Sequence, residues 1–378
     1  MSKRTFIVVG AGIVGCALAE ELSRRGHPVS LVDAAEAGSG TSAATFAWIN
    51  ANGKEPEEYS MLNFLGLQAH ERAAARGDRW FHQTGMMQIA SSVDEATQLE
   101  RNVANVGLGE YGARMLTRSE VLELEPDLDE RVVLAGAIYP REGWLDVPTM
   151  CFTLLDRAIA QGVRYFPFER VTEIDGALIR TVSPSGAESS HEADVIVLAA
   201  GNGTKAILHS AGFEFPVVDP NENALAAGSS GASVGIISST GPVTKGPRHF
   251  VRAVGIAVRP GRNGGVTFAD HPTGGRWGLN DPEIWSVPEL LLERARRLYP
   301  SLRAAATESV ALGTRVLPED GLTIADWIDE SNQIYAIGTH SGVTLSAHLA
   351  SCVADELVLG NRHWSLSRFG IDRFASVT

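Results

Sequence analysis

The residues with the clearest chemical meaning lie near the start of the chain. Gly10, Gly12 and Gly15 form a Gly-x-Gly-x-x-Gly sequence directly after the apolar run at residues 6–9. Between a strand and a helix, the first glycine permits a tight turn, the second lets a phosphate approach the backbone, and the third lets the helix pack on the strand. The N–H groups and positive dipole end of the helix favour phosphate binding. The pattern therefore predicts a pyrophosphate site.

The elements that must position this site follow in the expected order. Residues 16–25 place Leu18 and Leu22 on one helical face and end at Gly26, and a second apolar strand at 29–32 ends at Asp33. Asp33 lies where an acid accepts hydrogen bonds from a ribose, and an acid there disfavours the 2′-phosphate of NADP. The pattern predicts a βαβ dinucleotide-binding unit, and by itself it leaves FAD and NAD open.

Residues 34–55 are rich in Gly, Ala, Ser and Thr and show no helical period. Two interpretations are open: a flexible loop, or a segment whose backbone lies along a bound cofactor. Because the segment follows directly after the βαβ unit, we favour the second interpretation, a backbone that lies along a cofactor.

Composition excludes several classes of protein. Among the 378 residues, 32 Lys+Arg against 45 Asp+Glu give a net charge of −13, whereas a nucleic-acid-binding surface is basic. The most apolar early stretch, residues 6–19, is shorter than the ~20 residues of a membrane-spanning helix. Cys16, Cys151 and Cys352 stand far apart, with no Cys-x-x-Cys or Cys/His motif. They predict buried free thiols, no metal site and a reducing, cytoplasmic location.

The remaining pattern predicts an α/β chain, α+β overall, with two discontinuous domains. A helix at 150–161, a buried strand that runs from 195 into Gly201, and a strand and helix at 334–338 and 346–358 repeat the nucleotide-binding type of pattern. Residues 56–110 are mainly helical with a strand at 84–90, and a short helix follows at 119–126. Residues 212–310 contain short strands joined by glycine-rich turns, which are typical of an antiparallel sheet. We predict a Rossmann-like cofactor-binding domain from 1–55, 141–211 and 311–378, and a substrate-binding domain from 56–140 and 212–310.

Four blocks in this order resemble the D-amino-acid oxidase (DAO) superfamily of FAD enzymes, nearest its glycine oxidase, sarcosine oxidase and D-amino-acid dehydrogenase branches. They are residues 8–33, the Gly-Thr-Ser loop at 40–42, the strand at 195–203 ending in Ala-Ala-Gly, and residues 315–345, with Arg-Val-Leu-Pro-Glu-Asp-Gly-Leu-Thr-Ile. The resemblance covers nearly the whole chain and implies FAD rather than NAD. It also implies non-covalent attachment, since no cysteine lies near Arg315, where sarcosine oxidases attach their flavin.

The resemblance assigns cofactor contacts along the chain. Glycines and Asp33 would hold the ADP half, Thr41 and Ser42 the phosphates or ribityl chain, and Val171 the adenine through its backbone. The segments 45–48 and 338–344 would lie near the flavin ring. The implied FAD-binding residues are Gly10, Gly12, Ile13, Val14, Gly15, Asp33, Ala34, Gly40, Thr41, Ser42, Thr45, Phe46, Ala47, Trp48, Val171, Ala200, Gly201, Gly338, Thr339, His340, Gly342, Val343 and Thr344.

The resemblance also implies substrate contacts. Arg315 matches the family arginine that binds the substrate carboxylate, and a guanidinium suits that role because it donates two charge-assisted hydrogen bonds. His271 and His340 are candidate substrate or ring contacts, and Trp48 is a candidate apolar wall. Thr267 stands where sarcosine oxidases carry an oxygen-activating lysine.

Arg248 and Arg252 are candidates for a second carboxylate clamp; an exposed strand face is the alternative for both.

The expected activity is FAD-dependent oxidation of the C–N bond of an amino acid or N-substituted glycine. Hydride transfer to the flavin would leave an imine that hydrolyses, and electrons would pass to oxygen. The expected partner is a small amine or amino acid with a carboxylate. Three alternatives stay open: a dehydrogenase that reduces a quinone or carrier, a 2-hydroxy-acid oxidase, and a non-catalytic FAD-binding protein or subunit.

Overall fold

A computed structural model describes residues 3–106, 109–220 and 233–375. In chain order the strands of this described part are β1 (Phe6–Val9), β2 (Val29–Val32), β3 (Trp48–Ile49), β4 (Phe81–His82), β5 (Met86–Ala90), β6 (Arg114–Thr117), β7 (Ala135–Tyr139), β8 (Gly143–Leu145), β9 (Arg164–Phe166), β10 (Arg170–Asp175), β11 (Leu178–Val182), β12 (Glu188–Glu192), β13 (Val195–Leu198), β14 (Val234–Thr240), β15 (Phe250–Ala253), β16 (Ile256–Pro260), β17 (Val266–Ala269), β18 (Thr307–Thr314), β19 (Ile324–Trp327) and β20 (Ile334–Gly338). The helices are α1 (Ile13–Arg24), α2 (Glu57–Ala75), α3 (Val93–Ala104), α4 (Arg118–Leu124), α5 (Val147–Ala160), α6 (Gly203–Ser210), α7 (His271–Gly274), α8 (Val287–Leu298) and α9 (Gly342–Leu359).

A six-stranded sheet carries the predicted βαβ unit. Its order is β19-β20-β13-β1-β2-β9, parallel except for the β19–β20 pair. Every residue of β1, β2 and β13 is buried, because both faces of the sheet are covered. Phe6 and Val8 join the core under α1 and α9, whereas Ile7 and Val9 join the core on the opposite face. This confirms the predicted Rossmann-like arrangement.

The second large sheet has eight strands in the order β18-β14-β17-β16-β15-β5-β7-β6. Its neighbours are antiparallel except β15 and β5, which are parallel. Helix α8 covers one face with Leu291, Leu292 and Ala295. The fold is therefore a Rossmann-like domain with a second, mainly antiparallel part, as predicted.

Strands of the eight-stranded sheet come from residues 86–139 and 234–314, and those of the six-stranded sheet from 6–32, 164–198 and 324–338. β18 crosses residue 311, where the sequence places a domain boundary. The exact division into two domains stays a prediction.

Helix α9 begins at Gly342, earlier than the predicted residue 346, so residues 342–344 form its first turn. By length and composition it is the one described helix that could cross a membrane. It packs instead against α1 and α2, and most of it is buried within the fold. These internal contacts account for its apolar sequence.

All three cysteines are free and buried, as predicted. The expectation that they stand apart from other cysteines and histidines is wrong in three dimensions. Cys151 on α5 is a neighbour of Cys16 on α1 and, with burial, raises the pKa of the Cys16 thiol. Ligand atoms of His348, Cys352 and His363 lie within 4.8 Å of one another. The first grouping joins α1 and α5, whereas His348 and Cys352 lie four residues apart on α9 and His363 follows that helix. The absence of a metal site stays a prediction.

Candidate active site

A cavity of about 2230 Å³ lies between the two large sheets. Its wall is formed by the carboxyl ends of β1, β2 and β13, the segment 39–55, strands β15 and β17, the end of β18 and the first turn of α9. Sites for small ligands typically measure roughly 300–1,000 Å³. This cavity has room for a dinucleotide and for a second molecule beside it.

The turn after β1 has the shape that a pyrophosphate site requires. Gly10 adopts φ +104°, and a Cβ there would lie 2.5–2.7 Å from the backbone of Ala199 and Ala200. A Cβ on Gly15 would overlap the carbonyl oxygen of Gly10. Both positions therefore require glycine so that β1, β13 and α1 can meet.

Asp33 is held at the end of β2 by two backbone N–H groups. Its Oδ2 accepts from Ala11 at 2.5 Å and its Oδ1 accepts from Ala35 at 2.8 Å. Burial raises the pKa of this carboxyl, while the two hydrogen bonds oppose the rise. The side chain lines the cavity at the position predicted for ribose binding.

The segment after β2 lies along the cavity. The hydroxyl of Ser42 accepts a hydrogen bond from the N–H of Ile13 at 3.0 Å, and Thr41 donates to the carbonyl of Thr314 at 2.6 Å. The start of α1 is capped by Gly12, which has no side chain to occupy the N–H groups. Of the two interpretations of this segment, the structure favours the one beside a cofactor.

Almost all predicted cofactor residues line this one cavity; Gly15 and Gly338 do not. Gly15 packs α1 against β1, the role that the motif assigns to it. A Cβ on Gly338 would lie 2.9 Å from the ring of Phe215, on the side facing the protein core. Gly338 therefore provides space for packing rather than a wall of the site.

A polar network in the cavity wall joins α2 to the loop before α9. The hydroxyl of Tyr59 donates to Ser341 Oγ at 2.9 Å and lies 3.4 Å from His340 Nδ1. Lys54 Nζ donates to Ser341 Oγ at 3.3 Å. Burial, the largest effect, lowers the pKa of Lys54 to about 8. Lys54 lines the cavity and was missed by the sequence analysis, although it is one of only four lysines in the chain.

A second network fixes Trp48. Its indole Nε1 donates to Glu142 Oε2 at 2.6 Å, and the hydroxyl of Tyr111 donates to Glu142 Oε1 at 2.6 Å. Burial raises the pKa of Glu142 to about 8 against the opposing effect of these bonds. The guanidinium of Arg252 lies 5.1 Å from the centre of the Trp48 ring. Glu142 and Tyr111 were also not predicted from the sequence, because neither belongs to a recognisable motif.

The two predicted histidines line the cavity and are neutral. Burial lowers the pKa of both His271 and His340 to about 3, and the neighbouring cations Arg315 and Lys54 add to the effect. A neutral imidazole can donate or accept a hydrogen bond but adds no charge. These side chains therefore suit orientation of a polar ligand.

Arg315 follows directly after β18 and lines the cavity near His271. Burial lowers the pKa of its guanidinium to about 10, so the group stays charged at neutral pH. Arg248 and Arg252 are both exposed, but only Arg252 is among the residues that line the cavity. Thr267 also lies outside the lining, where its hydroxyl is 3.0 Å from Ser239 Oγ.

The profile of the DAO family, described as FAD-dependent oxidoreductase, matches residues 5–356. The chain belongs to this family. Its cofactor is FAD, and the predicted resemblance is confirmed.

Two curated relatives match almost end to end. Glycine oxidase of Geobacillus kaustophilus (strain HTA426) is 26% identical, over 97% of this chain and 96% of the relative. One of the opine oxidase subunits of Agrobacterium tumefaciens (strain Ach5) is 25% identical over the same shares. The crystal structure of the Geobacillus kaustophilus glycine oxidase superposes with a TM-score of 0.81 at 21% identity, covering 98% of this chain and 99% of that one.

The residues of the cavity fit FAD. The glycine turn leaves space that a Cβ would fill, Gly12 at the start of α1 contributes no side chain, and the carboxyl of Asp33 lines the cavity where a ribose contact is expected. Gly10, Gly12 and Asp33 would hold the ADP half, and the first turn of α9 would lie at the flavin end.

Proposed function

We propose that this FAD-dependent oxidoreductase oxidises the C–N bond of an amino acid or N-substituted glycine and passes the electrons to oxygen. The observation that carries the proposal is a half-buried, charged Arg315 in the same cavity as the cofactor residues. A guanidinium in a site of low polarity binds a carboxylate strongly through two parallel hydrogen bonds. It would fix one end of an amino acid while the amine end extends towards the ring.

The protein's part in this reaction is to bind and orient. Arg315 would hold the carboxylate, and the neutral imidazoles of His271 and His340 would border the amine. The cations around the cavity oppose a further positive charge, so they would favour the neutral amine over the ammonium. Bound FAD supplies the acceptor for the hydride that leaves the carbon next to nitrogen; the resulting imine takes up water and separates into an amine and a carbonyl compound.

The glycine oxidase relative supports an amino-acid substrate, and the full-length match to one of the opine oxidase subunits supports the oxidase class. A second candidate is a dehydrogenase that reduces a quinone or carrier. Thr267, in place of the lysine that the resemblance associates with oxygen activation, favours that candidate.

The test is an anaerobic mixing experiment with the FAD-loaded protein. We expect glycine, sarcosine or a larger N-alkyl glycine to bleach the flavin absorption near 450 nm, and admission of air to restore it with release of peroxide. Bleaching without reoxidation by air would identify the dehydrogenase. Bleaching by 2-hydroxy acids alone, or by nothing in the panel, would contradict amine oxidation.

A further inference from the structure

The substrate end of the cavity carries more positive charge than one carboxylate can balance. Arg315, Arg252 and Lys54 all line it, and all three lie close enough to His271 to lower its pKa. The proposed function uses only Arg315. The other two cations therefore need an explanation.

Arg252 is the cation with the fewest bonds. Its guanidinium makes no hydrogen bond or ion pair to any residue that the structure describes. It makes a cation–π contact with the face of the Trp48 ring. Its side chain is exposed on the cavity wall, and partial desolvation lowers its pKa while Glu142 and Asp270 oppose the fall. An arginine of the cavity wall with no bonded anion can form charge-assisted hydrogen bonds with a negative group that binds beside it.

The support beneath Arg252 is rigid. Trp48 is held by its hydrogen bond to Glu142 and by edge-to-face packing on Phe250, with ring centres 5.1 Å apart. Arg252 itself lies on β15, paired with β16 on one side and β5 on the other. A guanidinium stacked on a fixed indole keeps its N–H edge free for a planar anion.

The acids nearby do not neutralise this group. Glu142 already accepts hydrogen bonds from Trp48 and Tyr111, and its raised pKa disfavours the charged form. Asp270 accepts from the backbone and hydroxyl of Thr273 and lies 3.8 Å from Arg294. Both acids attract Arg252 from a distance, and neither bonds to it.

We propose that the substrate carries two carboxylates, one bound by Arg315 and the other, on the N-substituent, bound by Arg252 where it stacks on Trp48. The substrate class is a secondary amine of the N-(carboxyalkyl) amino-acid type. Lys54 adds positive charge to the same end without a direct bond. This inference rests on the proposed function, because it takes Arg315 and the amine from it.

The test compares diacids with apolar amines, in which a methyl group replaces the second carboxylate, in anaerobic flavin reduction. N-(Carboxymethyl)glycine is matched with N-ethylglycine, and N-(2-carboxyethyl)glycine with N-propylglycine. With the wild-type protein, we expect the reduction rate constant divided by Kd to be at least about tenfold larger for the better diacid than for its partner. In Arg252→Met, which keeps an apolar side chain on Trp48, the ratio should fall to near one, and in Arg252→Lys it should be intermediate.

Arg248→Met is the matched control, since it removes an arginine just before β15 that lies outside the cavity and should leave the ratio as in the wild type. The inference is overturned if the apolar amines are oxidised as well as both diacids, or if Arg252→Met lowers both members of a pair equally.

A binding experiment separates this inference from the proposed function. Thiodiacetate and (ethylthio)acetate lack the amine and cannot be oxidised, and their binding is measured through the change in flavin absorption. At least about tenfold tighter binding of thiodiacetate, abolished in Arg252→Met, would support the second carboxylate site even if no amine reduced the flavin. Equal affinities would contradict it, whatever amine is oxidised.

Discussion

At the scale of single residues, burial sets the charge of the cavity. It lowers the pKa of Lys54 to about 8 and of both histidines to about 3, and it raises that of Glu142 to about 8. The guanidinium of Arg315 keeps its charge because its pKa falls only to about 10. The site thus presents permanent positive charge and neutral imidazoles, a combination that selects anions with an uncharged polar group.

Replacement of Arg315 by Met should weaken binding of carboxylate substrates without loss of FAD. The loss of charge-assisted hydrogen bonds from a half-buried arginine corresponds to about 2 kcal/mol, so kcat/KM should fall by about 30-fold. Steady-state kinetics and the flavin spectrum of the purified variant measure the two effects. Arg315→Lys should recover part of the activity. An Arg315→Met variant with unchanged kcat/KM would show that the carboxylate binds elsewhere.

Glu142 makes stability depend on pH. Its pKa in the fold, about 8, exceeds the ordinary value of 4.5, so its neutral form is favoured. The stability that it contributes is complete below about pH 4.5 and is lost as the pH rises through about 8, where the buried group ionises. The melting temperature of Glu142→Gln should change less between pH 5 and 8 than that of the wild type, measured with FAD bound.

The Gln side chain lowers the absolute melting temperature, because it has one acceptor oxygen for the two donors Trp48 and Tyr111. The quantity to compare is therefore the slope of the melting temperature against pH. Equal slopes for both proteins would place the titration on another group.

At the scale of elements, the cofactor site depends on close contact between α1 and β1. Gly15 faces the carbonyl of Gly10 across that contact, and Gly10 in turn faces the strand end at Ala199. The helix can therefore present its N-terminal N–H groups only while these positions lack side chains.

Substitution of Gly15 by Ala should displace α1 and release FAD. The added methyl group overlaps backbone that cannot move without separating helix and strand, and overpacking of this kind costs about 1–3 kcal/mol or more. The ratio of flavin to protein absorption and the melting temperature report the two losses. Gly109→Ala is the control, because a Cβ there meets nothing within 4 Å. A Gly15→Ala protein with full FAD content would refute the close-packing argument.

At the scale of the whole molecule, one cavity unites the two large sheets, so cofactor binding should stabilise both. A ligand that binds only the folded state raises stability by about 2.7 kcal/mol at a hundred times its Kd. Removal of FAD should therefore lower the melting temperature, and added FAD should restore it in a concentration-dependent way. Calorimetry of the apo and loaded proteins measures this shift.

Non-covalent attachment is a further expectation at this scale. None of the three cysteines lines the cavity. Acid precipitation should leave the yellow colour in the supernatant and a colourless pellet. A yellow pellet would demonstrate a covalent bond to the protein.

The cofactor half of the site was accessible from the sequence because its signals are local. The turn at Gly10, Gly12 and Gly15, the acid at Asp33 and the strand leading to Gly201 each follow from the order of neighbouring residues. The periodicity of strands and helices extends over only a few neighbouring residues, so these patterns can be recognised without knowledge of the rest of the fold.

The substrate half required the folded chain. Trp48 meets Glu142, and Lys54 meets Ser341, across long separations in sequence, and Arg252 reaches Trp48 from a different sheet. The influence of Cys151 on the pKa of Cys16 and the exclusion of Arg248 from the cavity also depend on residues far apart in the sequence. Desolvation and charge pairing depend on which distant segments enclose a side chain, and only the packing of the two sheets establishes that.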